Sequence, residues 1–352
     1  MRETAKRALV AVVVGGGIVV LALALWRLRL LIALLFLGFI IAAAMRPGIE
    51  ALARRGVPRA GGILLHYVGL AAAVGLMLWA VVPRVIDQVD EAIGELPQQT
   101  EEATGIKHEI LNSIQQRLDT LPSGEQIFDP AVEITLTAFE VAVGIFFMLA
   151  TAAYWIYERD RAERLVLSLL PVKRRRLVRD TWNLIDLKLG AYVRGQLLLI
   201  VLVATVLSVA FAIIGLPFWI LIGIFAGIVE IVPVIGPIAA GALAVGVGLT
   251  DSWQVATAAG IAVLVVRLAE DYLIIPRVLG HAVGLTPLTV LVAVTASALL
   301  FGGFAVILAI PLAAVGATLL DVILRERNPA EEDVPKVLFP AKEGETTGVG
   351  RG

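Results

Sequence analysis

Three acids and one arginine stand in the most apolar part of this chain, where charge is expensive: Glu230, Arg267, Glu270 and Asp271. An ionised side chain at the centre of a membrane helix costs roughly 2.5–3.5 kcal/mol or more. Each such residue therefore needs a partner, a wet cavity or a ligand. Carboxylates in that setting bind a proton or a cation, or accept hydrogen bonds from a hydroxylated solute. Glu230 leads the candidates because it opens the run Glu230-Ile231-Val232-Pro233-Val234-Ile235-Gly236-Pro237, inside an apolar stretch from Leu216 to Leu249. A helix cannot continue through Pro233 and Pro237 without losing backbone hydrogen bonds. Lipid supplies no replacements, so the irregular backbone must be sheltered by protein or line a cavity. The competing reading of Glu230 is a cap on backbone donors freed at the turn.

Arg267, Glu270 and Asp271 follow one another at i, i+3 and i+4, which puts them on one helix face with an internal ion pair within reach. Glu270 is the first of them for a direct transport role. The alternative is that all three sit at the membrane interface and snorkel, a reading favoured by Pro276 and Arg277 just after them. Gly302-Gly303 is a second break, and broken helices expose carbonyl and N–H groups that coordinate ions or ligand oxygens. Gln196 enters a long apolar run and could bond either a solute or another helix. Gly223 and Gly227 have the spacing of close helix packing rather than of a ligand site. His281, between Gly280 and Gly284, is expected to be solvated.

The elements that must position these residues follow from composition. The 352 residues are 59% apolar and only 17% charged, against about 25% charged in a soluble domain. The apolar residues gather in runs near 20 residues, the length that spans hydrocarbon. The expectation is an all-α polytopic membrane protein with about eight apolar membrane segments. Residues 1–82 read as three N-terminal spans: Ala8–Trp26, Leu30–Met45 and Ile63–Val82. The first is too long for a signal peptide's apolar region and meets Arg27 rather than a small-residue cleavage site. Residues 83–133 read as extracytoplasmic amphipathic helices, divided at Pro97 and Gly105. Val82, Ile86, Val89, Ile93 and Leu96 form their apolar stripe, suited to the bundle, the membrane surface or a subunit contact. Residues 134–190 read as span 4 and a basic segment. Residues 191–324 read as a transport core: span 5, the broken region 216–250, a span at 253–275 and the broken region 285–324. Residues 325–352 read as a disordered tail.

Charge orients the chain. Residues 157–190 hold nine Lys and Arg, including Lys173-Arg174-Arg175-Arg176, whereas 83–133 hold three against eleven acids. Basic loops stay in the cytoplasm, so both termini and 157–190 are expected inside and 83–133 outside. Arg27 and Arg29 run against this, because their short turn would lie outside. The arms of the region 216–250 are short for full spans, and the region 285–324 again lacks charges at its break. Two re-entrant hairpins, one opening outward and one inward, would make the core a span plus a hairpin, twice, in inverted orientation. Inverted repeats of this kind place a site near the midplane.

The blocks in this half resemble the AI-2E family of bacterial membrane proteins over roughly 145–325. The blocks are Asp160 with Leu169-Leu170-Pro171 and the basic run, Leu189-Gly190-Ala191-Tyr192 and Gly195-Gln196, and Glu230 with Pro233 and Gly236-Pro237. Glu270, Pro276, Gly280, Pro287-Leu288, Gly302-Gly303 and Pro311-Leu312 complete them. The resemblance implies export of a small polar solute, autoinducer-2 in some members and cation/proton exchange in others, and a homo-oligomer, with a pentamer as one form. This chain departs from the family in carrying Arg267 and Asp271 around its second buried Glu, where Gln and Asn are frequent.

Several classes drop out. Without Cys there is no disulfide framework, thiolate metal site or redox motif, and no metal or cofactor is called for. A net charge of −1 gives no field that favours nucleic acid. No P-loop, zinc-protease or nucleophile-elbow motif is present, so an enzyme is not expected. What remains is a secondary transporter for a small polar solute, with a passive channel, an envelope scaffold or a monovalent cation/proton antiporter as alternatives.

Overall fold

A computed structural model describes residues 2–102, 128–232, 235–275, 285–332 and 334. Every regular element among them is helical, as the sequence leads one to expect. The helices are α1 (Arg2–Arg27), α2 (Arg29–Ala53), α3 (Arg59–Glu102), α4 (Phe128–Ser168) and α5 (Val172–Ile214). They continue with α6 (Trp219–Val229), α7 (Ile235–Asp251), α8 (Trp253–Ala269), α9 (Pro287–Phe301) and α10 (Val306–Leu324).

The boundaries differ from the expected ones in one systematic way. Span 3 and the amphipathic stripe after it are one helix: α3 runs without interruption through Pro83 and Pro97, so the expected division at Pro97 is absent. Span 4 likewise runs on into the basic segment as α4, and the rest of that segment opens α5 after the turn at Leu169–Pro171. At 1.5 Å per residue a helix such as α5, with 43 residues, is about 64 Å long, twice the hydrocarbon thickness. The hydropathy signal marks the part that fits oil, and helix propensity carries the helix beyond it. The second amphipathic piece, Ile106 to Leu118, lies outside the described residues.

Both expected interruptions are present. α6 has 11 residues, about 16 Å of helix, too little to cross a bilayer. It ends at Glu230, and the chain restarts as α7 at Ile235. α9 ends at Gly302, whose φ of +88° is a left-handed value that only glycine adopts without strain. A short 3₁₀ turn, Gly303–Ala305, leads into α10. The core thus holds a helix and a broken pair twice, α5 with α6/α7 and then the shorter α8 with α9/α10.

α5 is the centre of the bundle. It packs against α2, α4, α6, α8 and α10, and most extensively on α6. Small residues set the approach. A side chain at Gly223 would collide with Ser208 on α5, and one at Gly227 with Ala204, so this glycine pair is a packing device as expected. Gly190 does the same for α5 against the Ala43 carbonyl on α2. The apolar core between α5, α6, α7 and α8 is built from Val203, Leu207, Phe211, Ile222, Ala240 and Ala259, among others. By contrast α1 and α3 expose their apolar side chains, among them Val20, Leu76 and Trp79, the surface that lipid covers in a membrane protein.

The chain after α10 does not leave the bundle at once. Glu332 and Val334 lie against α5, where the composition of 325–352 suggested disorder. The residues beyond, 335–352, lie outside the described ones.

Candidate functional site

The site forms where the broken pair α6/α7 meets α5 and the end of α8. The break leaves the carbonyls at the end of α6 short of partners. Part of the deficit is met locally: Ile231 N–H donates to Ile228 O at 3.3 Å and Val232 N–H to Val229 O at 3.0 Å. The Glu230 carbonyl is met from another helix, accepting from Gln196 Nε2 of α5 at 3.0 Å, with both residues buried. Gln196 thus makes a contact with another helix. Gly236 lets the start of α7 pass close against the Val229 carbonyl, an approach that any side chain would block.

Among the described residues the Glu230 side chain bonds another helix rather than the backbone of its own turn. Its Oε1 accepts from Arg267 Nη1 of α8 at 3.1 Å. Arg267 also reaches Glu270 Oε2 at 3.8 Å and Asp271 Oδ1 at 3.0 Å. One guanidinium therefore serves three carboxylates, two of them well buried: Glu230 is 7% exposed and Glu270 2%. Asp271 is open to the surface, and Arg267 is a quarter exposed. The helical spacing that suggested a shared face is correct, and α8 adds a refinement. It passes at Glu270 into a π-helical turn, Glu270–Ile274. Such widened turns are rare and gather at functional sites.

Glu270 is the irregular member of the set. Its Oε1 is buried and has no hydrogen-bond partner among the described residues. Polar atoms in that condition are uncommon, and each calls for an explanation. A small void adjoins it, about 10 Å³ of space for the centre of a water-sized molecule, room for roughly one water. Glu230, Pro237, Arg267 and Glu270 line this void, with Val203, Leu207 and other apolar side chains closing it.

The structure thus brings together seven of the candidate residues: Gln196, Glu230, Gly236, Pro237, Arg267, Glu270 and Asp271. Pro233 lies outside the described residues, as do Pro276, Arg277 and the Gly280–Gly284 segment with His281. Gly302 and Gly303 do not join the cluster. Their break stands beside α1, where the Phe301 and Trp26 rings are 6.5 Å apart.

Sequence reasoning missed a second charged set. Arg46 of α2 pairs with Glu50 at 2.6 Å and with Asp186 of α5 at 2.7 Å. Arg159 of α4, almost wholly buried, pairs with Asp186 at 3.0 Å and Glu163 at 3.2 Å, and donates to Asn183 Oδ1 at 2.6 Å. Arg179 closes the set on Glu163 at 3.2 Å. In the sequence these residues look like ordinary loop charge. The signal available was their place on helices that extend past the apolar runs, which hydropathy alone does not mark.

A helical bundle whose longest helices are apolar over membrane-spanning lengths, interrupted beside buried carboxylates, defines a polytopic membrane protein of transporter type. The chain belongs to the AI-2E family transporter group, whose family model matches residues 17–325. Among its relatives is Putative transport protein YrrI of Bacillus subtilis (strain 168), 24% identical over 84% of this chain and 87% of the relative. Putative transport protein YueF of the same organism is 28% identical over 79% of this chain and 81% of its own length. Putative transport protein MT0215 of Mycobacterium tuberculosis (strain CDC 1551 / Oshkosh) is 25% identical over 92% and 91%. The protein is a membrane transporter.

Proposed function

We propose that this transporter exports a small polar solute in exchange for a proton or monovalent cation taken up at Glu230 and Glu270. The observation that carries the reading is the charge imbalance of the cluster. With Glu230, Glu270 and Asp271 ionised, Arg267 leaves a net charge of −2 around a small void. Buried charge is tolerated when paired, and this cluster is one or two positive charges short. A proton or a small cation supplies them, and its arrival or departure changes the stability of the broken turn that Glu230 terminates. The unpartnered Glu270 Oε1 is the place for it. Autoinducer-2 is the solute that the family resemblance suggests.

The excess of basic residues in 157–190 supports a plasma-membrane orientation with both termini cytoplasmic. The repeated helix-plus-broken-pair order supports two re-entrant hairpins of inverted orientation, and the apolar faces of α1 and α3 suit lipid or further copies in a homo-oligomer. Introduced cysteines at Gly236 and Leu249 that label from opposite membrane faces would remove the first hairpin.

The test is flux in proteoliposomes loaded with a pH-sensitive dye. With a small polar solute such as autoinducer-2 inside, an imposed proton or sodium gradient should drive the solute out, and the dye should report the protons exchanged, where protein-free vesicles give no signal. Glu230→Gln and Glu270→Gln should each slow it by about tenfold, the cost of losing roughly 1.4 kcal/mol of coupling. Flux indifferent to both substitutions and to every gradient would favour a passive channel or scaffold.

A further inference from the structure

The segment after α10 is built as a strap. Asp321, in the last turn of α10, accepts from Arg325 Nη1 at 2.7 Å, and its carbonyl accepts from Arg327 N–H at 3.1 Å. Between them Glu326 adopts a φ of +52°, a left-handed conformation that a non-glycine residue holds at a cost. Asn328 continues the fold-back: its Oδ1 accepts from Ala330 N–H at 3.2 Å, and its Nδ2 donates to Glu331 Oε1 at 2.7 Å. The chain so turned delivers two side chains to α5. Glu332 Oε1 meets Lys188 Nζ at 2.6 Å, and Val334, 7% exposed, packs on Leu184 and Ala191. Leu184, Lys188 and Ala191 are spaced four and three apart, one face of the helix.

Lys188 is the pivot. It is 5% exposed, and its other contact is Thr318 Oγ1 of α10 at 3.2 Å. The strap therefore ties the far end of α10 to α5 through a half-buried ion pair and an apolar plug. Eight residues further along α5, about 12 Å of helix, Gln196 holds the carbonyl of Glu230. Any movement of α5 against α10 must first break or carry Lys188, Thr318 and Glu332. With the strap docked, the void beside Glu270 has room for no more than about one water. Docked strap and a site with little room occur in the same conformation.

We infer that residues 325–332 and Val334 form an autoinhibitory strap, whose release from the Leu184–Lys188–Ala191 face lets α5 and α10 part and the site open. Its effect on transport rests on the transporter coupling proposed above, while its effect on conformation does not.

The chain has no cysteine, so introduced ones report alone. In proteoliposomes, Leu184→Cys, 3% exposed beneath Val334 in the native chain, should react slowly with a water-soluble maleimide. Adding Glu332→Lys, which sets like charges together without altering α5, should speed labelling by about tenfold. Val334→Asp should do the same from the apolar side. Unchanged labelling in both overturns the strap. In the second arm, Leu184→Cys and Val334→Cys are joined by a short bis-methanethiosulfonate. Joined protein should lose most of the dye-reported flux and recover it with dithiothreitol, and full flux while joined overturns the inhibitory role. If no form carries flux, the coupling reading fails, and labelling alone decides the strap.

Discussion

α5 borders two charged clusters, and they are opposites. Around Asp186, three cations (Arg46, Arg159, Arg179) face three acids (Glu50, Glu163, Asp186), each within 3.2 Å of a partner. Around Glu230, one cation faces three acids, and one buried carboxylate oxygen has no partner at all among the described residues. The first set joins α2, α4 and α5 into a unit. The second joins the broken turn of α6/α7 to α8. A balanced network is a joint, and taking one member away damages it. An unbalanced one is unfinished, and it is completed by something that comes and goes. The contrast suggests that the Asp186 cluster can be broken only at the expense of folding, whereas the Glu230 cluster can be altered while the fold stands.

The largest effect on stability is expected at the joint. Asp186→Ala leaves Arg46 and the buried Arg159 without their shared acid. Breaking a buried pair in this way costs about 3–5 kcal/mol, so the thermal unfolding midpoint in detergent should fall sharply, with flux per folded molecule unchanged. A midpoint unmoved by Asp186→Ala would erase the distinction between the two clusters.

Arg267→Gln comes next. It takes the one cation from three carboxylates, yet the loss is softened because Asp271 is exposed and the buried acids can take up protons. A cost of about 1–3 kcal/mol is expected. Flux should vanish, and acidic buffer should restore stability by neutralising the acids. If acid instead lowers the stability of this variant, Arg267 is not their counter-charge.

The sequence made one of these clusters visible and hid the other, for a physical reason. Glu230, Arg267 and Glu270 interrupt apolar sequence, and charge in oil is conspicuous because it is costly. The i, i+3, i+4 spacing even placed Arg267, Glu270 and Asp271 on one face. The pairing of Arg267 with Glu230, 37 residues away, had no local signature, since it depends on how α6 and α8 dock on α5. Arg159, Arg179 and Asp186 were invisible as a network because charge on helix beyond the hydrocarbon is ordinary. Only the extra lengths of α4 and α5, past the hydropathy boundaries, bring these residues side by side. Gly302-Gly303 was legible as a break, but where that break would sit was not. The helix in which Pro97 lies shows the reverse error, where a residue that usually ends helices was given too much weight.

Gln196→Ala sharpens the comparison on a smaller scale. The Glu230 carbonyl would lose its donor in a buried place, at a cost of about 1 kcal/mol for one hydrogen bond. Flux should fall because the broken turn is no longer held to α5. Gln196→Asn, one methylene shorter, should not rescue it, and equal flux in all three forms would make Gln196 a packing residue only.

The smallest effect on stability belongs to the substitution with the clearest functional meaning. Glu270→Gln keeps the size of the side chain, loses only a long 3.8 Å contact with Arg267, and removes one charge from a cluster that has too many of its sign. The oxygen without a partner gains none by the change but becomes part of a neutral group, which is cheaper to bury. The unfolding midpoint should therefore stay within about 1 kcal/mol of the native chain or rise. Flux should nonetheless lose its dependence on the imposed gradient. A joint cannot behave in this way, because its members lose function only by losing the fold. If Glu270→Gln unfolds the protein as Asp186→Ala is expected to, Glu270 is one more structural charge and the imbalance around it has another cause.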